Sequence, residues 1–203
     1  MTKRDIERRK YQELYGNIQK DEPNVYYPTD EKYGEGTHGN GVHIFMLKLF
    51  KPESVLDVGC GKDNTFCKLI RDEYKVETNL EQPKLCGVDF ASKPKKLKDI
   101  EFKTGRAEEL PFKDEEFDVV TSFDMLEHIL PEDIDTVLSE LFRVAKKGIV
   151  VTVAHHQVKR KLHNIVEPEE WWDKKFFNYG NPIKYLKYII IKKEPSWKET
   201  KIY

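Results

Sequence analysis

Apolar residues along this chain fall into short runs of two periods. Val55, Leu56 and Val58 form a compact β-branched and aliphatic run that breaks into Gly59 and Gly61, and from Asn64 onward Phe66, Leu69 and Ile70 follow helical spacing. The pattern predicts a buried strand, a glycine turn and a helix. Residues 84–90 (Lys-Leu-Cys-Gly-Val-Asp-Phe) predict a second strand, 100–104 a third, 116–123 a fourth and 147–153 a fifth. Between the last two, Ile134, Val137, Leu138, Leu141 and Val144 predict a helix over 131–145, with Pro131 suited to its first turn. Upstream, Ile44, Phe45, Leu47, Leu49 and Phe50 suit a helix over 42–50 that feeds the glycine turn. Downstream, the apolar run 185–191, the Pro195-Ser196 turn and the segment to Tyr203 predict the last two strands, one of them antiparallel. Strands alternating with helices predict an α/β protein with a doubly wound, mostly parallel sheet and a ligand at the carboxyl ends of its strands.

The remaining stretches are less regular. Residues 2–14 are charged and helix-prone, with Ile6, Tyr11 and Leu14 as packing points; they read as a solvated helix, the alternative being a substrate-side lid. Residues 21–41 lose all periodicity and fill with Tyr26, Tyr27, Tyr33, His38 and four glycines (Gly34, Gly36, Gly39, Gly41). Structureless segments of that length inside a compact domain tend to be functional, so this loop is expected to reach over the active site. The polar stretch 74–83 reads as a loop, and the four lysines within 92–98 as a solvated face.

Composition narrows the class. At 203 residues the chain is expected to be one domain: N-terminal helices and a candidate lid over 1–50, a ligand-binding core over 51–154, and an acceptor-side segment with the last strands over 155–203. Lys plus Arg (35) and Asp plus Glu (36) nearly cancel, so no global field steers the protein to nucleic acid. Cys60, Cys67 and Cys86 show no paired spacing and read as small buried thiols in a reducing compartment. No apolar stretch approaches the roughly 20 residues that span a bilayer, and the expected location is cytoplasmic.

Candidate chemistry gathers in three places. The glycine turn leaves backbone N–H groups open at a helix N-terminus, where anionic or polar ligand groups are favoured. Asp89, at the tip of the second strand and 28 residues beyond Gly61, can accept both hydroxyls of a ribose. Beyond the fifth strand, His155, His156 and His163 precede Trp171 and Trp172. Tryptophan faces suit a sugar ring, and a neutral imidazole can accept a hydroxyl proton. A zinc site from the three histidines is the sharper alternative; it is set aside because adjacent histidines rarely point to one ion. An amphipathic helix docking on the sheet would take at least one tryptophan. Glu127 and His128 read either as a polar approach to the next helix or as part of the active site, and Glu140 with Arg143 as a structural pair at i, i+3.

Val55 to Gly61, Val88-Asp89, Glu108-Glu109-Leu110-Pro111-Phe112, Phe117-Asp118-Val119-Val120, Leu126-Glu127-His128 and Glu140-Leu141-Phe142-Arg143-Val144 together resemble the class I S-adenosylmethionine-dependent methyltransferases. The resemblance covers 55–153 and implies a Rossmann-like, seven-stranded sheet whose last strand is antiparallel. It implies that Asp57, Gly59, Cys60 and Gly61 hold the methionine part of S-adenosylmethionine, that Asp89, followed by Phe90, takes the ribose, and that Arg106, Ala107 and Glu108 border the adenine. Ser122, Phe123 and Asp124 would face the sulfonium and the incoming acceptor. Two positions depart from the family: Asp63 stands where many members have a third glycine, and Arg106 where many have an acid.

The His-then-Pro-x-x-Trp-Trp stretch is similar to methyltransferases among surface-glycan and other sugar-modifying enzymes. The implied activity is methyl transfer to a hydroxyl of a sugar-containing or other small polar molecule. His163, His155 and Glu127 are the candidate bases, in that order, with Tyr33, His38, His128, His156, Trp171 and Trp172 on the acceptor side. Two other readings are methylation of a nucleic-acid base, weakly supported by the basic runs at 93–98 and 159–161, and a non-catalytic module that binds the cofactor or a partner protein.

Overall fold

The computed structural model describes residues 2–6, 9–11, 42–61, 64–78, 81–90, 97–157, 162–185 and 188–193. In chain order the elements are α1 (Val42–Phe50), β1 (Ser54–Val58), α2 (Thr65–Thr78), β2 (Lys84–Asp89), β3 (Ile100–Thr104), β4 (Phe117–Phe123), α3 (Ile134–Val144), β5 (Ala145–Thr152), α4 (Glu169–Phe177), β6 (Pro182–Tyr185) and β7 (Tyr188–Lys192). Single 3-10 turns, Leu126–His128 and Pro131–Asp133, join β4 to α3, and residues 3–6 and 9–11 are helical.

All seven strands form one sheet in the order β3-β2-β1-β4-β5-β7-β6. β3, β2, β1, β4 and β5 run parallel, β7 lies antiparallel to β5, and β6 antiparallel to β7. This is the Rossmann-like arrangement expected above. Strand order reverses between β1 and β4, which opens a crevice at their carboxyl ends, the place where such sheets bind ligands.

The central strands read as continuous apolar runs because both faces of the sheet are covered. Leu56, Val58, Val120, Ile149 and Val151 face one cluster, shared with Val137, Leu138 and Leu141 of α3 and Trp172 and Phe176 of α4. Their strand neighbours Val55, Val119, Val150 and Ile190 face the opposite cluster, shared with Met46 and Leu47 of α1 and Phe66, Ile70 and Tyr74 of α2. A parallel sheet of this kind needs two helical layers, and the alternating strand residues are divided between them.

Three expectations change. α2 continues to Thr78, so the first half of the expected 74–83 loop is helix; Tyr74 is buried four residues after Ile70 and donates its hydroxyl to the Pro52 carbonyl at 2.7 Å. The apolar run 185–191 is divided between β6 and β7, so the final antiparallel pair comes from 182–192. The segment 194–203 lies outside the described residues, as do Leu14 and the loop 21–41. Among the described residues, no helix is long and apolar enough to cross a membrane.

Candidate active site

The glycine turn leaves β1 with Gly59 at φ 78° and Gly61 at φ 65°, left-handed conformations that cost glycine least. Gly59 and Cys60 both donate their N–H to the Val88 carbonyl, at 2.8 and 3.3 Å, which fastens the turn to β2. A Cβ on Gly59 would come within 2.5 Å of the Met125 side chain, so the loop after β4 rests directly on the turn. Gly61 donates to a carboxylate oxygen of Asp89 at 3.1 Å.

Around Asp89 the polar and aromatic groups suit a nucleoside. Phe90 presents a ring flanked edge-on by Tyr11 at 5.9 Å and approached by the Arg106 guanidinium at 5.9 Å. Arg106, where an acid was expected, pairs with Glu108 at 2.9 Å, and its carbonyl accepts the Glu109 N–H at 3.2 Å, closing a turn that includes Ala107. Asp57 is tied to β4, because the Thr121 hydroxyl donates to it at 2.8 Å; burial pushes its carboxyl up to about 7.

Asn64, not singled out from sequence, starts α2 with φ 51° and its side chain over Gly87, where a Cβ would come within 2.0 Å of Oδ1. Asparagine before an apolar helical run is one of the few non-glycine residues that accept this conformation. Asp63, which stands where many members of the family have a third glycine, lies outside the described residues. Left-handed glycines, a carboxylate beside them and an adjoining ring with a guanidinium above it fit a cofactor that ends in a nucleoside.

At the end of β4 the three residues expected to face the acceptor part company. The Ser122 hydroxyl is buried and donates to the Val58 carbonyl at 3.0 Å, and the Phe123 ring packs edge-on against Phe66 at 4.6 Å in the core. Both therefore brace the strands, since alternate strand positions must point into the two helical layers. Asp124 alone stands at the rim, at φ 45°, donating its N–H to the Thr152 hydroxyl at 2.9 Å and accepting that hydroxyl's proton at 2.6 Å.

The 3-10 turn that follows carries Glu127 and His128. Glu127 is fully buried; the backbone N–H groups of Glu127 and Ala154 approach its carboxylate without good hydrogen-bond geometry, and burial pushes it up to about 8. His128 Nδ1 lies 3.0 Å from the Leu162 carbonyl and 2.8 Å from the Tyr11 hydroxyl, which itself donates to Leu162 O at 3.0 Å. A carbonyl can only accept, so Nδ1 of His128 carries the proton. His163 is 8% exposed and its Nδ1 donates to the His156 carbonyl. Burial lowers both imidazoles, His128 to about 4.

The two segments are sewn together by backbone. Asn164 and Ile165 donate their N–H groups to the Glu127 carbonyl at 2.8 and 3.0 Å, and the Asn164 amide donates to the His128 carbonyl at 2.7 Å. One ligating atom from each of Glu127, His128 and His163 lies within 4.8 Å of the other two.

The other expected acceptor residues are elsewhere. His155 is exposed, its ring nitrogen 3.2 Å from the Glu167 carbonyl, and His156 is exposed with its ring 5.7 Å from that of His163. Trp172 is fully buried against Phe176 on the inner face of α4, which leaves no surface for a sugar. Trp171 is half-buried with Lys175 over its ring at 5.1 Å. Tyr33 and His38 lie outside the described residues. Tyr11, a packing point by its sequence pattern, touches Phe90, His128 and Leu162 together.

Comparison with known proteins agrees with this geometry. The family described as Methyltransferase domain matches residues 56–152. Norajmaline N-methyltransferase from Rauvolfia serpentina is 28% identical over 127 residues, which cover 59% of this chain and 42% of that protein. Ajmaline N-methyltransferase from the same plant is 30% identical over 125 residues, covering 59% of this chain and 40% of that protein. The match thus spans about two fifths of the length of these curated relatives. Among solved structures, magnesium protoporphyrin IX methyltransferase from Synechocystis PCC 6803, with bound SAH, superposes with a TM-score of 0.58 at 14% identity, covering 88% of this chain and 91% of that one. Matched family, glycine turn with its acid, and sheet order agree: residues 56–152 are similar to the Methyltransferase domain family, set in a sheet of the Rossmann-like methyltransferase arrangement.

Proposed function

We propose that the protein transfers a methyl group from S-adenosylmethionine to a hydroxyl of a small polar molecule, foremost a sugar-containing one. The observation that carries this reading is the cluster of Glu127 and His163, both buried, with the half-buried His128. Glu127 and His128 sit on the loop whose Met125 rests on the glycine turn, and His163 meets them from the segment after β5, so the groups able to handle an acceptor proton adjoin the expected cofactor cradle.

Gly59 and Gly61 would hold the methionine end, Asp89 the ribose hydroxyls, and Phe90, Arg106, Ala107 and Glu108 the adenine. S-adenosylmethionine, when bound, supplies an electrophilic methyl group on a sulfonium. The chain's own work is positioning and proton handling, and positioning alone can lower a barrier by about 7 to 11 kcal/mol. An alcohol must lose its proton as the methyl arrives. Because Nδ1 of His163 is spent on the His156 carbonyl, its Nε2 keeps a lone pair, and in the metal-free protein that lone pair takes the proton. Nearly complete burial keeps the imidazole neutral.

A nitrogen acceptor is the second reading, favoured by the two plant relatives, whose names are those of N-methyltransferases. Such an acceptor brings its own lone pair. The deciding experiment incubates the full chain with methyl-labelled S-adenosylmethionine and separate pools of nucleotide sugars, glycans, amines, transfer RNA and DNA. Label in an alcohol of the sugar pools is expected. Label confined to amines or to nucleic acid overturns the hydroxyl reading, and cofactor binding with no label in any pool would make the chain a non-catalytic module.

A further inference from the structure

We propose that Glu127, His128 and His163 form a binding site for a divalent transition-metal ion of the zinc or cobalt class. Two imidazoles and one carboxylate are a common donor set for such ions, and here a ligating atom from each lies within 4.8 Å of the others. Ordinary burial of polar residues accounts poorly for how the three are held.

Each imidazole is prepared in the same way. Nδ1 of His128 donates to the Leu162 carbonyl and Nδ1 of His163 to the His156 carbonyl. That arrangement fixes tautomer and ring orientation and leaves Nε2 with its lone pair, as in metal-ligating histidines, whose other ring nitrogen is almost always held by a carbonyl or carboxylate. The tyrosine hydroxyl of Tyr11 steadies the first of these contacts from the N-terminal segment.

The second observation is Glu127 itself. It is fully buried; only the backbone N–H groups of Glu127 itself and Ala154 approach the carboxylate, with neither in good hydrogen-bond geometry and no cationic side chain beside it among the described residues. A buried carboxylate without a charged partner is expensive, and such groups are found paired or bound to metal. A cation held by Glu127 and the two free imidazole nitrogens supplies that charged partner. The negative charge of Asp124 bears on all three residues and adds to the attraction. The backbone bonds from Asn164 and Ile165 to the Glu127 carbonyl keep the two ligand segments in register without the ion.

Three protein ligands leave a fourth position open, the pattern of catalytic rather than structural zinc. That the open position receives the acceptor hydroxyl rests on the methyl-transfer reading above; the site itself stands on its ligands. In the loaded protein the cation would lower the pKa of the bound alcohol so that its proton passes to solvent water as the methyl arrives, while both imidazoles serve as ligands.

The test titrates the full chain, freed of metal by a chelator, with cobalt(II) and then zinc(II). One equivalent of cobalt with intense visible absorption is expected, displaced by one equivalent of zinc. Glu127→Gln and His163→Gln should each weaken binding by more than about 100-fold, since loss of a ligand's supporting partner alone costs about 10- to 100-fold. Far-UV circular dichroism confirms that each variant is folded, and His128→Gln provides a third if one is not. No cobalt signal, or one that survives unchanged in these variants, overturns the site. Labelled methyl transfer is followed on the same samples: transfer by a chain that binds no cobalt overturns the metal site, whereas bound cobalt with no transfer to any acceptor supports the site and overturns the functional reading.

Discussion

The backbone N–H of Gly61 donates to the carboxylate of Asp89 at 3.1 Å. One oxygen of Asp89 is thereby part of the glycine turn. In the proposed reading Asp89 would do two things: shape the turn and accept from the ribose hydroxyls. Asp89→Ala should weaken S-adenosylmethionine binding by about 1.5 to 3 kcal/mol, the range for hydrogen bonds to a charged group. Asp89→Asn keeps an acceptor for Gly61 and should fall between. Calorimetry that finds the alanine variant binding at full affinity would mean that the ribose lies elsewhere.

Asp57 makes the empty protein sensitive to pH. Its carboxyl is raised to about 7 by burial, against about 3.9 in an unfolded chain, so the folded state holds the proton more tightly. The stability tied to that proton is present in full below about pH 4 and is lost as pH rises through 7, by up to about 4 kcal/mol. Asp57→Asn cannot ionise, yet its side-chain oxygen can still accept from Thr121. The variant should be the more stable at pH 8, with an advantage that shrinks toward pH 4. Denaturant midpoints of the two proteins that shift in parallel across this range would show that another group is responsible.

What was legible in the sequence follows from how far each residue's partners lie along the chain. The strands could be read because both faces of the sheet are buried, which turns each strand into a run of its own. The end of α2 is hidden by charge: Arg71, Asp72 and Glu73 precede Tyr74, which continues the buried stripe from Phe66 and Ile70. Trp172 is the tryptophan taken by the docking helix and not by a sugar: Phe176 four residues later marks it as the inner stripe of α4. The pairing of His128 with His163 had no local signal. Their proximity depends on a connection that folds back across 34 to 36 residues, and the adjacent pair His155-His156 drew attention instead.

Glu140 and Arg143 do form a pair, at 2.6 Å, and they also clamp the segment that follows the turn at Arg106 to Glu109. Glu140 accepts the Leu110 N–H at 2.8 Å, while Arg143 donates to the carbonyls of Leu110 at 3.1 Å and Phe112 at 2.8 Å. Arg143→Ala removes the donor to both carbonyls and should cost about 1 to 3 kcal/mol of stability. Arg143→Lys should recover little, because an ammonium cannot reproduce the guanidinium fork. Full recovery by lysine in chemical denaturation would reduce the clamp to a simple charge pair.

His163→Ala separates proton handling from cofactor binding. The residue lies among Glu127, His128, the His156 carbonyl and the Gln157 side-chain amide, whereas the proposed cofactor cradle is Gly59 and Gly61 after β1 with Asp89 at the end of β2. Whether His163 takes the acceptor proton through its Nε2 lone pair or lends that lone pair to a cation, its loss should lower turnover by about 10² to 10⁴. Affinity for S-adenosylmethionine should stay nearly constant, so the loss should appear in kcat and not in cofactor binding. Glu127→Gln should act in the same direction, since it removes the buried carboxylate beside the imidazoles. Steady-state kinetics on the labelled acceptor, with calorimetry for the cofactor, reads both quantities. Full turnover in both variants would exclude this group from the chemistry and leave a nitrogen acceptor, which brings its own lone pair, as the better account.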